Sequence, residues 1–457
     1  MEGREAMKIL IIGAGKIGSA IVRNVCHESH EVTVIDNDPE VIERIVNQYD
    51  VMGICGNGLS NEILKSVDIE KTDLVIAVTQ SDEANMLACQ FAHQLGAKNT
   101  IARVRDYSYT KQIGFLESTL KLTLSINPEL EAAREIARIV NFPEARKIDT
   151  FAGGNADLIE LSVPEDCSIC NKSLSEINRE QQINSLICAV TRKNEVYIPD
   201  GKFVIMPNDI IHVTSDRLNS RLFLSKLGLS KTKMKEIIII GGGRISVHLA
   251  EILIKNGYNV KIIEQDLAVC EELSQLVPEA IVVCGDGSDQ ALLKEQGMAE
   301  SDAIICLTGL DEENIIISLY ANKQNVKKVI TKINKPSFKS LLESIKMSSV
   351  ISPQEITASQ ITSYIRASQN SMGNKCKTLY KLVDNKVEAL EFEVSSQSNV
   401  INTEIKSLKI KPQILIAGII RDSEFIIPRG TSKILPNDSV IVVTTDNILN
   451  DLDDILA

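Results

Sequence analysis

The sequence predicts an α/β chain built twice over, with two doubly wound parallel sheets that are each followed by a small α+β module. Three observations carry this prediction. An apolar run, Ile9–Ile12, passes straight into Gly13-Ala14-Gly15-Lys16-Ile17-Gly18 and then into a helical pattern. The same strand and turn return as Glu236–Ile240 and Gly241-Gly242-Gly243-Arg244-Ile245-Ser246. Behind each copy, short β-branched runs alternate with helical patterns, as expected of strands covered on both faces.

The glycine spacing has a chemical meaning. In Gly-x-Gly-x-x-Gly the first glycine permits a tight turn, the second lets the backbone approach a pyrophosphate, and the third lets helix and strand pack closely. Phosphates then rest on the unpaired N–H groups and positive dipole end of the following helix. Asp36 ends the next apolar run, where a carboxylate can accept hydrogen bonds from a ribose. Gly13, Ala14, Gly15, Lys16, Ile17, Gly18 and Asp36 are therefore expected to hold a dinucleotide. A carboxylate at the ribose repels a 2′-phosphate, which favours NAD(H) over NADP(H).

Along the first copy, strands are expected at Leu10–Ile12, Val32–Ile35, Leu74–Val78 and Thr100–Val104. Their carboxyl ends should form the ligand crevice, at the point where strand order reverses. Asn57 and Gly58 sit in a strand-end loop and are a candidate adenine edge, a plain turn being the alternative. Thr79 opens the segment Thr79–Asn85 at another strand end and joins the expected crevice. Arg103 and Arg105 lie two apart, so both point to one face near the carboxyl edge. They can reach an anionic ligand, or else form a surface ion pair with Asp82 or Glu83. Asp82 and Asp311 stand at helix starts, where capping and the dipole account for them.

The second copy is expected to place strands at Ile237–Ile240, Val260–Ile263, Ala280–Val283, Ala303–Leu307 and Lys328–Lys332. Glu264 follows Ser246 at the spacing with which Asp36 follows Gly18. Gly241, Gly243, Arg244, Ile245 and Glu264 form the second candidate site. Ser246 replaces the third glycine, so its Cβ and hydroxyl should push helix from strand and weaken this site. Lys332 and Asn334 stand where the first copy has Arg103 and Arg105, a weaker phosphate chemistry.

After each nucleotide-type domain a proline opens a helix, Pro128 to Val140 and Pro353 to Ile365, proline being suited to the first helical position. A compact α+β module follows. Its strands are expected at Asp157–Val163 and Leu186–Thr191, and again at Ala389–Val394 and Ile414–Ile420. In each module a Pro-Asn-Asp turn (Pro207-Asn208-Asp209 and Pro436-Asn437-Asp438) delivers the last strand. Ser225–Met234 is the expected connection between halves, and Asn370–Lys377 the other loose segment.

Composition narrows the functional class. The 457 residues leave room for several cores. A net charge of −12 speaks against a nucleic-acid or anionic-lipid partner. No apolar run reaches the roughly 18 residues of a membrane span, and Ile9–Ile12 is too short for a signal-peptide core. A cytoplasmic chain without membrane insertion is expected, with Met7 a candidate natural start because Met1–Ala6 joins no pattern. The ten cysteines lie mostly in apolar runs and read as reduced core residues. Cys167-Ser168-Ile169-Cys170 has no second pair and no nearby histidine, so neither metal nor redox use is expected. None of the five histidines has a ligand-spaced companion.

The ordered set formed by the Gly13–Gly18 turn, the Thr79–Asn85 segment, Ile101–Arg105, Ile351–Gln354 and the two Pro-Asn-Asp turns resembles a tandem pair of RCK (regulator of K⁺ conductance) units. It is similar in particular to the peripheral regulatory subunits of bacterial Trk potassium-uptake systems. The resemblance covers almost the whole chain from Met7. It implies two Rossmann-like domains at 7–127 and 231–350, crossover helices and linkers at 128–148 and 351–378, and C-terminal modules at 149–230 and 379–457. It further implies a non-catalytic subunit that binds NAD(H), and ATP or ADP in the same crevice. Such a subunit docks as a homo-oligomer beneath a membrane potassium channel or transporter, four chains giving a ring of eight units. The alternatives are an NAD-dependent oxidoreductase and a soluble nucleotide sensor acting on a non-transport partner. The first needs an acid–base group poised near a buried substrate, and the small modules offer no such constellation.

Overall fold

The structure, a computed structural model, describes all residues except 1–5, 27–29, 152–154, 182–184, 194, 228–233, 336, 339–341, 343–348, 370–374, 383–386, 423, 446–448 and 450. Most of Ser225–Met234 and Asn370–Lys377, the stretch before Ala6, and His27 thus fall wholly or partly outside the described residues. The chain forms two compact units, each drawing on both halves: Met1–Asn141 with Met234–Thr362, and Phe142–Lys233 with Ser363–Ala457.

The first unit holds two parallel sheets. The first sheet comprises β1 (Lys8–Ile12), β2 (Glu31–Asp36), β3 (Met52–Cys55), β4 (Leu74–Ala77), β5 (Asn99–Arg103) and β6 (Leu124–Ile126), in the order β3-β2-β1-β4-β5-β6. Ile9–Ile12 and Leu74–Ala77 are buried along their whole length, as central strands covered on both faces must be. The order reverses between β1 and β4, which opens a crevice at their carboxyl ends. Helices α1 (Lys16–Val25), α2 (Pro39–Gln48), α3 (Asn61–Ser66), α4 (Asp82–Gln94), α5 (Tyr107–Lys111) and α6 (Ile113–Leu120) connect the strands. Then comes α7 (Pro128–Asn141).

The twin sheet repeats this order. It is built from β12 (Glu236–Ile240), β13 (Asn259–Glu264), β14 (Ile281–Cys284), β15 (Ala303–Cys306), β16 (Lys328–Lys332) and β17 (Val350–Ile351), arranged β14-β13-β12-β15-β16-β17. Its helices are α10 (Arg244–Lys255), α11 (Leu267–Leu276), α12 (Gln290–Glu295), α13 (Asp311–Lys323) and α14 (Pro353–Gln369). The helix α7 packs against the second half of the chain. Ala132, Ala133, Ile136, Ala137 and Val140 join one buried cluster with Ile237, Ile239, Leu249 and Leu253 of the second half. In return α14 reaches the first half, where Glu355 pairs with Arg23 of α1 and Gln360 donates to Glu131 of α7.

The second unit contains two antiparallel sheets of one topology. The first is β7 (Ala145–Phe151), β8 (Ala156–Ser162), β9 (Ser185–Arg192), β10 (Glu195–Tyr197) and β11 (Ile210–Ser215), with α8 (Leu174–Gln181) and α9 (Arg217–Lys226). The second is β18 (Lys375–Leu382), β19 (Val387–Glu393), β20 (Ile414–Arg421), β21 (Glu424–Ile426) and β22 (Ser439–Thr444). Their orders, β7-β8-β11-β9-β10 and β18-β19-β22-β20-β21, correspond strand for strand. One buried cluster joins the sheets: Leu158, Cys188 and Ala189 meet Ala389, Ala417 and Ile441. The Pro-Asn-Asp turns are held by ion pairs. Asp209 accepts from Arg192 Nε at 2.8 Å and from Met206 N–H at 2.8 Å. Asp438 accepts from Arg421 Nε at 2.9 Å and from Leu435 N–H at 2.7 Å. Asn208 and Asn437 take positive φ (66° and 68°), a conformation in which asparagine is enriched.

Seven strands are absent from the sequence pattern: β3, β6, β7, β10, β17, β18 and β21. Gly53 interrupts the run that would have marked β3. The strands β6 and β17 are three and two residues long. Both β7 and β18 begin in stretches that read as linker, and they exist through antiparallel pairing with β8 and β19.

Candidate functional site

The Gly13–Gly18 turn has the geometry its spacing requires. Gly13 has φ 97°, and its N–H donates to the Ile35 carbonyl at 2.8 Å. A Cβ on Gly18 would lie 2.0 Å from the Gly13 carbonyl oxygen, so helix and strand touch there. Gly15 is different, because a Cβ on it would meet nothing within 4 Å. The protein's own packing does not demand glycine at 15; close approach of a ligand would. Helices α2, α4, α11 and α12 are capped by the side chains of Asp38, Ser81, Asp266 and Asp289, whereas α1 and α10 start at glycines with no side-chain cap. No side chain takes the first-turn N–H groups of those two helices, which leaves the ones not bonded within the turn to a ligand or solvent.

A cleft of about 920 Å³ opens over this turn. Gly13, Gly15, Lys16, Ile17 and Asp36 line it, as do Asn57, Gly58, Thr79, Arg103 and Arg105. Ala14 and Gly18 are not on its lining; both are buried behind the turn. The Asp36 carboxylate ties the turn down, accepting from Ala14 N–H at 2.7 Å and Asp38 N–H at 3.0 Å. Each of its oxygens keeps a further lone pair for a ribose hydroxyl. The Asn57 side chain closes a local turn on Leu59 N–H at 2.9 Å, and Gly58 lies against Ile12, whose Cγ2 would be 2.3 Å from an added Cβ.

The two arginines have different roles. Arg105 forms an ion pair with Glu129 of α7, Nε to Oε1 at 2.7 Å, and not with Asp82 or Glu83. The Asp82 carboxylate instead accepts the Arg105 and Asp106 backbone N–H groups, both through Oδ2, at 2.7 and 2.8 Å. Arg103 is only 8% exposed, and its Nε and Nη2 have no hydrogen-bond partner among the described residues. Burial, together with the neighbouring Arg105, pushes its pKa below the ordinary arginine value. A buried, unsatisfied guanidinium on the wall of this cleft is fitted to receive an anion.

The segment Thr79–Asn85 is chiefly a clamp. Asn85 is fully buried; its Oδ1 accepts from Thr79 N–H at 2.8 Å and Oγ1 at 2.7 Å, and its Nδ2 donates to the Arg103 carbonyl at 3.0 Å. This ties the ends of β4 and β5 together behind the cleft. Asn314 does the same with Thr308 and Lys332 in the second half. Asp311 accepts from Asn334 and Lys335 N–H groups, matching Asp82.

The second cleft, about 700 Å³, is lined by Gly241, Gly243, Arg244, Glu264, Gly287 and Thr308 among others. Gly241 has φ 100°, and Glu264 accepts from Gly242 N–H at 2.6 Å. Ser246 fits beneath the turn with its hydroxyl donating to the Gly241 carbonyl at 2.5 Å. The first turn of α10 is bonded differently from that of α1. There Ser246 N–H bonds Gly243 at 2.9 Å and the Val247 N–H bond lengthens to 3.3 Å, whereas Ser19 N–H in α1 reaches Gly15 at 2.9 Å.

Each cleft also borrows from the other half, which the sequence does not announce. Ile245 lies on the first cleft, not the second, together with Lys332, Asn334, Pro353 and Gln354. Arg105, Asp106 and Tyr107 line the second. Lys332 lines both; its ammonium donates to the Leu307 carbonyl at 3.2 Å, and burial depresses its pKa against the opposing pull of Asp311 and Glu129. The one available signal was that Lys332 occupies the place of Arg103 in the repeat.

Elsewhere, the Cys167 and Cys170 thiols contact the Leu227 and Pro164 carbonyls. Among the described residues no group of three or more His, Cys, Asp or Glu side chains could hold a metal, and no helix is long and apolar enough to cross a membrane.

The fold and its paired clefts define a class: a duplicated nucleotide-fold protein with two small antiparallel modules. Its N-terminal units match the TrkA-N domain over residues 9–121 and 237–353, and its modules match the TrkA-C domain over 158–228 and 389–457. The chain belongs to the TrkA family. It is 30% identical over 436 residues to a Trk system potassium uptake protein TrkA homolog of Archaeoglobus fulgidus, covering 95% of this chain and 97% of that one. It is 29% identical to Trk system potassium uptake protein TrkA of Halomonas elongata, covering 96% of each. Among solved structures, the GsuK channel bound to NAD shares the fold with a TM-score of 0.64 at 16% identity, over 98% of this chain and 78% of that one.

Proposed function

We propose that the chain is the nucleotide-responsive regulatory subunit of a membrane potassium-uptake system of the Trk type. It docks at the inner face of the cell membrane as a ring of four chains and eight nucleotide-fold units, and it catalyses no reaction. The observation that carries the nucleotide reading is the unpartnered Arg103 guanidinium buried on the first cleft beside the uncapped glycine turn. NAD(H) is the favoured ligand. Asp36 would hold the adenosine ribose, the α1 N-terminus and Arg103 the phosphates, and Asn57 and Gly58 the adenine edge. ATP or ADP shares the adenosine and phosphate groups and would use the same contacts. Family membership and the names of the relatives support the potassium-transport partner.

Gating requires the ligand to prefer one ring shape. A shift from mostly closed to mostly open needs on the order of 5 kcal/mol of preference, summed over sites. Residues of the second half on the first cleft give a route, since a nucleotide there touches both halves. Two measurements test the reading: calorimetric titration of the purified chain with NADH, and co-purification of a membrane potassium transporter with the tagged chain. No adenine-nucleotide binding at millimolar concentration, or normal potassium import in cells lacking the protein, would overturn it.

A further inference from the structure

Two thiols meet at the loop that carries Glu264. The Cys270 thiol, on α11, contacts the Glu264 carbonyl at 3.3 Å, and the Cys284 thiol, at the end of β14, lies 3.9 Å from the Gln265 carbonyl. Cys284 is directly beside Glu264 in the sheet register, so the two thiols flank the same Glu264–Gln265 stretch of backbone. Cys284 is exposed and Cys270 buried. The loop between them shapes the second cleft, because Glu264 holds Gly242 N–H with one carboxylate oxygen and Asp266 N–H, at 2.9 Å, with the other.

We propose that Cys270 and Cys284 are a modification site, a dithiol that closes reversibly to a disulfide and clamps the Glu264 loop. The oxidant is a low-molecular-weight disulfide. The Cys284 thiolate attacks one sulfur of that disulfide, forming a mixed disulfide and expelling one thiolate. Cys270 then gives up its proton and attacks Cys284 Sγ, expelling the second thiol. The two protein sulfurs lose two electrons and two protons in all, and the two released thiols carry them. Exposure assigns the attacking role to Cys284. Burial, and then the Cys284 thiol beside it, push the Cys270 pKa up to about 11, which suits Cys270 to the resolving step.

The first half is a built-in control. Cys55 occupies the position of Cys284, but Ile42 occupies that of Cys270. The exposed thiol there has no partner on α2, so the crosslink acts on one cleft of the pair.

The test treats the full chain with hydroxyethyl disulfide, an uncharged oxidant, and maps disulfides by non-reducing digestion and mass spectrometry. Amide hydrogen exchange is followed across 264–270. The expected result is a Cys270–Cys284 crosslinked peptide, exchange slowed by at least about threefold, and reversal by dithiothreitol. Cys284→Ser should give neither effect, and Cys270→Ala should stop at a stable mixed disulfide on Cys284. Wild-type chain that also stops at the mixed disulfide, or a crosslink that leaves exchange unchanged, overturns the proposal. Neither readout needs a nucleotide, so this failure is distinct from failure of the nucleotide reading.

Discussion

Replacing Arg103 by methionine should move stability and affinity in opposite directions. Two guanidinium nitrogens of Arg103 are buried without partners among the described residues. An unsatisfied buried donor costs about 1–3 kcal/mol, and more when charged. An apolar side chain of similar length removes that cost, so the unliganded variant should be more stable by about 1–3 kcal/mol. At roughly 2–4 °C per kcal/mol for a domain of this size, the rise in Tm is easily read by calorimetry or dye fluorescence. Binding should suffer. Charge-assisted bonds are worth about 1.5–3 kcal/mol each, and losing one of them to a phosphate weakens NADH roughly tenfold to 150-fold. The nucleotide-induced Tm shift should shrink accordingly. A variant with lower Tm when empty and unchanged Kd would refute the reasoning, making Arg103 a structural residue.

Four further outcomes are expected. Asp36→Ala should abolish most calorimetric NADH binding, while Glu264→Ala has a smaller effect; equal losses would contradict the ranking of the clefts. Asn85→Ala removes the bonds that join β4 to β5, and should lower stability by about 2–4 kcal/mol in urea titration, a loss under about 1 kcal/mol counting against the clamp. Gly18→Ala forces a Cβ against the Gly13 carbonyl, costing roughly 1–3 kcal/mol and first-cleft affinity; unchanged NADH binding would show the turn to be adaptable. At Asp302 burial raises the pKa, but the Lys327 ammonium and the Lys235 and Glu236 N–H groups outweigh it and hold the carboxyl below its usual range. Its stabilisation is therefore complete above the unfolded value near about 4 and lost as pH falls through the lower folded value. Asp302→Asn should flatten the acid limb of a stability–pH curve, and parallel curves for variant and wild type would exclude that contribution.

The sequence was most legible where chemistry and periodicity coincide. The glycine turns, Asp36 and Glu264, and the β-branched runs of β1, β4, β12 and β15 are local signals, and each stands where its spacing placed it. The doubled Pro-Asn-Asp turns were legible for the same reason, although their Arg192 and Arg421 partners were not, because those pairs join different strands. Strands β7 and β18 owe their existence to pairing and leave little pattern of their own. The presence of Ile245 and Lys332 on the first cleft depends on how the two sheet domains pack together, which no window of sequence contains. Arg103 and Arg105 both line the first cleft, but only packing separates the guanidinium tied to Glu129 from the one left without a partner.

The exchange of α7 into the second sheet domain has a bearing on biosynthesis. While the ribosome is still making the first small module, the alanine-rich face of α7 has emerged and the strand it will rest on has not been translated. That greasy surface must wait for about a hundred more residues, seconds at ordinary elongation rates, and is during that time a natural client for chaperones. Cutting the gene between its halves should therefore yield two fragments that are sticky alone and well behaved only when made together.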